Sequence, residues 1–216
     1  MDKKGLAKKN QLVIVGGARG AGKFAVVGKI IDELEDFEAL NTGKAILDIS
    51  KSFGFSSLDE VRLMDYYRFI EPALLAHIKT LLRLKNLVIE SHYHYTTPGL
   101  TMSSLRELAG QASSATLILV ETAPKDIYLK NKGSGLEWYK DIKNIEKDVI
   151  ANSDYFRIYT EIMGEKTSVN AIRLTPESFN IAAIIDTIRK DQRSQLLCQE
   201  KSSGSAALTE PARARC

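Results

Sequence analysis

The chain is short of the residues that announce disulfide, zinc or membrane chemistry. Among 216 residues there are two cysteines and three histidines. Cys198 lies near the end of a helical pattern and Cys216 is the last residue, so neither belongs to a disulfide framework or a metal-ligand cluster. His77, His92 and His94 make a poor zinc set without cysteine company. The apolar stretch before Gly16 is far below the roughly 20 residues that cross a bilayer, and no signal-peptide hydrophobic region follows the lysine-rich start. The chain therefore reads as cytoplasmic, with no membrane partner. An excess of one charge is missing as well: the net charge is +3, and the first ten residues, with four lysines against one aspartate, account for it. The remainder is balanced, which argues against a nucleic-acid partner.

What is present is ordinary globular material, 44% hydrophobic and 26% charged, enough for one α/β domain. Residues 11–17 are a β-branched run ending in glycines, followed by apolar positions at helical spacing: strand, tight turn, helix. A second strand is expected over 37–43 and a helix over 44–54, stopped by Gly54. Another helix is expected over 57–65, with Ser57 as N-cap and Glu60 at the capping-box position. A long amphipathic helix follows from Tyr66 to Lys85. Strands are expected at 86–92, 115–124 and 167–174, and helices at 101–112 and on both sides of a Gly-Ser interruption in 125–164. The charged stretch 137–150 reads most simply as a solvated helix face, and Pro176 is expected to begin a final helix. Such alternation argues for a parallel sheet covered on both faces, with ligands at the carboxyl ends of its strands. The expected domain is 11–194, between a flexible basic N-terminus (1–10) and a disordered tail (195–216).

Gly17, Gly20, Gly22 and Lys23 fit G-x-x-x-x-G-K, placed directly after a strand and opening a helix. Glycines let several backbone N–H groups point inward, while the helix N-terminus and Lys23 add positive charge, so phosphate is the natural guest. Arg19, within the loop, is either a solvent-exposed side chain or an extra phosphate contact. A Ser or Thr normally follows the lysine to hold magnesium. Here Phe24 does, then Ala25, Val26 and Val27.

Together with "LNTGKAILDISKSFGFSSLDEVRLMD", "VIESHYHYTTPG" and "LILVETAPKDIYL", the loop resembles adenylate kinases, most closely the archaeal type, from about residue 11 to 130 and more weakly to about 190. The resemblance implies a P-loop kinase fold with a central parallel five-stranded sheet, and a lid segment near 130–140. It implies that Gly17, Ala18, Arg19, Gly20, Ala21, Gly22, Lys23 and Phe24 hold ATP. Thr42, Gly43 and His92 would line an AMP site, and Arg62 would grip the AMP phosphate, its plain alternative being an ion pair with Asp59 or Asp65. Glu90 would organise Mg²⁺ through water. The implied reaction is ATP plus AMP giving two ADP, with Lys23 and Arg62 catalytic; the archaeal enzymes the chain resembles are often homo-oligomeric, which makes a homo-oligomer the implied assembly. The chain departs from that pattern in its lid: no arginine occurs between Arg106 and Arg157, and Lys130, Lys132 and Lys140 stand there instead. Lysine lacks the planar fork that stabilises a phosphoryl group in flight, so transfer is expected to be slow unless Arg157 folds back. Two readings stay open: a nucleoside-monophosphate kinase, and a nucleotide-binding regulatory protein derived from one.

Overall fold

Leu12–Gly16 (β1) is apolar and buried at every position, the signature of a strand covered on both faces. It is the middle of a sheet of five strands in the order β2-β3-β1-β4-β5, with β2 at Phe37–Asn41, β3 at Asn86–Glu90, β4 at Ser114–Val120 and β5 at Ser168–Leu174. Every pairing is parallel, as expected. The structure is a computed structural model and describes residues 10–93, 100–135, 137–175 and 180–204.

Alternation along β1 divides the core. Val13 and Val15 face Val26 and Ile30 of α1 (Lys23–Glu33) and Ile184 and Ile188 of α8 (Ile181–Gly204). Leu12 and Ile14 face the opposite cluster, built from Leu74, Ile78 and Leu82 of α4 (Glu71–Leu84), Leu105 and Leu108 of α5 (Met102–Gln111), and Phe156 and Met163 of α7 (Ile142–Gly164). The remaining helices, α2 (Thr42–Ser52), α3 (Leu63–Asp65) and α6 (Pro124–Asn131), lie in connections that follow β2 and β4. Among the described residues no helix is long and apolar enough to cross a membrane.

The helix expected over 57–65 does not form. A 3-10 turn spans Leu58–Glu60, Val61 and Arg62 are extended, and α3 runs through a π-helical Tyr66–Ile70 into α4. Neither short element buries a residue, and a short helix without tertiary packing does not outweigh its nucleation cost. The Ser57 side chain caps nothing; Glu60 instead accepts the Ser56 N–H at 2.7 Å. Pro176 and the residues through 179 lie outside the described residues, as do 1–9, 94–99, 136 and 205–216. Asn10 is buried and its side-chain amide donates to Leu82 O at 2.8 Å. Helix α8 continues to Gly204, past the point where apolar periodicity ends. Gln, Leu, Glu and Lys from 195 onward are good helix formers, and no Gly or Pro interrupts them before Gly204.

Candidate phosphate-binding site

Between β1 and α1 the chain turns on three glycines whose φ angles, 145° at Gly17, 80° at Gly20 and 98° at Gly22, are costly for any residue with a Cβ. Space also forbids a side chain at Gly17 and crowds one at Gly20. A Cβ on Gly17 would lie 2.4 Å from Val120 O, and one on Gly20 would lie 3.0 Å from Asn131 Nδ2 and 3.1 Å from the Tyr139 hydroxyl. The loop therefore abuts the end of β4 on one side and the α6–α7 connection on the other. Thr122 ties it down further, donating from Oγ1 to Ala21 O at 2.9 Å. Gly22 caps α1 without a side chain, and the first turn holds no acidic residue, so the helix presents its N–H groups and partial positive charge unopposed from within.

Lys23 is buried, and its Nζ donates to Gly17 O (3.1 Å) and Ala18 O (2.9 Å). Burial pulls its pKa down from 10.5 to about 8, against the upward pull of Glu90 and Asp148, while Arg19 lowers it further. Glu90 ends β3 beside Val15 of β1. One of its carboxylate oxygens accepts from Asn41 Nδ2 at 2.8 Å, and Asn41 Oδ1 caps α2 by accepting from Lys44 N. Thr42 Oγ1 donates to Glu90 O at 3.1 Å and lies 3.3 Å from Ser91 Oγ. Gly43, in the first turn of α2, sits where a Cβ would come within 3.3 Å of Asn41 Oδ1. His92 is held neutral: burial, then Lys23, push its pKa down to about 3, with Arg19 adding to this and a hydrogen bond with the Gly17 backbone opposing it. Lys23, Glu90, Thr42 and His92 thus share one edge of the sheet, at the carboxyl ends of β1, β2 and β3.

Arg62 stands apart. It is exposed at the start of α3, and no ion pair with Asp59 or Asp65 joins the described contacts. Arg157 does not turn toward the loop; it lies 3.8 Å from Glu161 on its own exposed helix face. Lys130, Lys132 and Lys140 are exposed.

The residues that sequence reasoning missed are on α7 and just after β3. Asp148 is buried, and its Oδ2 accepts the Arg19 N–H at 2.9 Å. Asn152, also buried, donates from Nδ2 to Asp148 O and Oδ1 and accepts Tyr93 N at 3.0 Å. The Tyr93 hydroxyl lies 3.0 Å from Ile14 O and 3.1 Å from Ile118 O, and its ring occupies the place a Cβ on Gly16 would take. The stretch 137–150 is therefore not a wholly solvated face: Ile145, Asp148, Asn152, Phe156 and Tyr159 form one buried stripe. That spacing was the available signal, with polar residues sharing a line with apolar ones. Arg173 of β5 was also passed over. Its Nη1 donates to Glu121 Oε1 at 2.6 Å and Ser153 Oγ at 3.0 Å, with the guanidinium 5.4 Å from the Phe156 ring centroid.

Magnesium finds a poor fit here. Phe24 and Ala25 are exposed and carry no hydroxyl, Val26 and Val27 point into the core, and one of the two Glu90 carboxylate oxygens already accepts from Asn41. Among the described residues no group of three or more His, Cys, Asp or Glu side chains is arranged to hold a metal ion.

No protein-family model and no curated protein matches the chain. Solved structures do. A chain of the Pnkp1/Rnl/Hen1 RNA repair complex is 17% identical with a TM-score of 0.50; the match covers 73% of this chain and 49% of that one, so this chain spans about half its length. A candidate kinase from Chloroflexus aurantiacus is 15% identical with a TM-score of 0.54, over 85% of this chain and 99% of that one. Shikimate kinase from Acinetobacter baumannii, in complex with shikimate, is 20% identical with a TM-score of 0.43, over 95% and 99%. Identities this low speak to architecture alone: the glycine loop, the 2-3-1-4-5 parallel sheet and its two helical layers are the P-loop kinase fold.

Proposed function

We propose that the chain is a phosphotransferase that takes ATP as donor at residues 17–24 and a nucleoside monophosphate, AMP in the first instance, as acceptor. The observation that carries this reading is Lys23, a buried ammonium parked on the carbonyls of its own glycine loop. A β- or γ-phosphate oxygen would be a stronger partner for that ammonium than either carbonyl. Thr42, Gly43 and His92 lie on the acceptor side, and Arg62 would bring a planar fork to the acceptor phosphate from the exposed segment before α4. Catalysis would rest on positioning and electrostatics, as phosphoryl transfer requires little else of a protein. His92, neutral at physiological pH, would serve as a hydrogen-bonding group and not as a charge. In this reading residues 11–194 are the kinase domain, 130–140 its lid, and homo-oligomerisation a property to be measured.

A second reading has its own support. Phe24 removes the metal-binding hydroxyl and Arg157 pairs with Glu161, both losses falling on groups that act mainly in the transition state. A protein so altered would bind nucleotide and turn it over poorly. A coupled assay of ADP formation with AMP, CMP, UMP and GMP separates the two. Turnover with AMP that Lys23→Ala lowers by about a hundredfold or more supports the kinase. Intact ATP binding by calorimetry with no turnover at high enzyme concentration supports the binding protein, and absence of binding overturns both.

A further inference from the structure

We infer that Phe24 makes this loop a cradle for the metal-free polyphosphate, so that the chain binds its nucleotide without preferring the magnesium complex. The inference rests on the reading of residues 17–24 as a nucleotide-phosphate site. Position 24 is the first residue after the lysine, where a hydroxyl gives a P-loop its direct ligand to the ion between the β- and γ-phosphates. Here that place holds a phenyl ring, 78% exposed, standing at the open N-terminus of α1. Magnesium gives up its waters reluctantly. A ring beside it offers no oxygen in exchange, and no other residue of the first turn can supply one.

Charge points the same way. Magnesium cancels two of the negative charges that Lys23, Arg19 and the α1 N-terminus attract, and only a protein ligand to the ion recovers that loss. The two carboxylates near Lys23 already hold protein partners. Asp148 uses its oxygens on Arg19 N and Asn152 Nδ2, and a Glu90 oxygen accepts from Asn41 Nδ2. Those bonds fix the loop and the end of β3, and a metal at either carboxylate would compete with them.

The test is calorimetric titration of the full chain with a non-hydrolysable ATP analogue, in EDTA and in excess magnesium. The expected Kd values for the wild type agree within about threefold, whereas Phe24→Thr shifts the ratio about tenfold or more toward the magnesium complex. Phe24→Ala, which removes the ring without adding an oxygen, should stay indifferent to the metal. Because the side chain is so exposed, thermal melting should show all three proteins equally folded. A wild type that prefers the magnesium complex by about tenfold, or a threonine variant whose ratio does not move, overturns the inference and leaves the nucleotide reading standing. Failure to bind in either buffer overturns the nucleotide reading and this inference with it.

Discussion

Raising the pH from 7 to 9 should change how many protons the protein takes up when it binds a polyphosphate. In the free protein burial holds the Lys23 pKa at about 8 instead of 10.5, so the amine is neutral in about one tenth of molecules at pH 7, one half at pH 8 and nine tenths at pH 9. A bound phosphate restores the charge, and those fractions become the protons absorbed per binding event. His92, with its pKa at about 3, does not titrate in this window, and the ligand's second phosphate ionisation, near pH 6, involves at most about a tenth of a proton at pH 7 and less above it. Calorimetry in two buffers of different ionisation heat reads the uptake directly. Lys23→Arg, always charged, should absorb none. Uptake that stays flat and near zero from pH 7 to 9 in the wild type would refute the reasoning. The same shift fixes a stability trend. A lysine whose folded pKa lies below its unfolded value costs the fold roughly 3 kcal/mol below about pH 8, and that penalty is relieved as the pH rises toward 10.5.

Two further substitutions address the frame around the lysine. Gly17→Ala adds a Cβ 2.4 Å from Val120 O at a φ of 145° and should cost more than about 2 kcal/mol in urea unfolding, or prevent folding; an unchanged midpoint would show that the loop is not held against β4. Asp148→Ala removes the acceptor of the Arg19 N–H and leaves the Asn152 amide only the residue-148 backbone carbonyl, and should cost about 1–3 kcal/mol, whereas Asp148→Asn, which keeps one oxygen, should cost less. Equal losses in the two variants by denaturation would count against the Asp148–Arg19 contact.

The legible parts of this molecule are those where backbone requirements dictate residue type. Gly17, Gly20 and Gly22 show through because only glycine tolerates their φ angles, and β1 because a strand buried on both faces must be continuously apolar. The segment 57–65 misled because a capping pattern states only a local preference, and its apolar residues Leu58, Val61 and Met64 have no core to pack into. Asp148 and Asn152 were hidden for the opposite reason. On a helix rich in Lys, Glu and Asp they look like solvent-facing residues until the fold lays that line against the loop. Arg173 was unreadable because its partners, Glu121 and Ser153, come from two other elements. The roles proposed for Thr42, Gly43, Arg62 and His92 come from resemblance alone; the structure adds the contacts of Thr42 with Glu90 and Ser91 and the partial burial of His92.

Helix α7 has 23 residues, about 34 Å of rod, and it is clamped along its length. Asp148 grips the glycine loop near one end. Phe156, Tyr159 and Met163 are sunk in the core toward the other, and the Tyr159 hydroxyl donates to Leu100 O at 3.3 Å. So fixed, it is a strut and not a lever. Any movement of the segment before it would have to pivot ahead of the rod, which starts at Asp141, whose carboxylate caps the helix by accepting from Lys143 N.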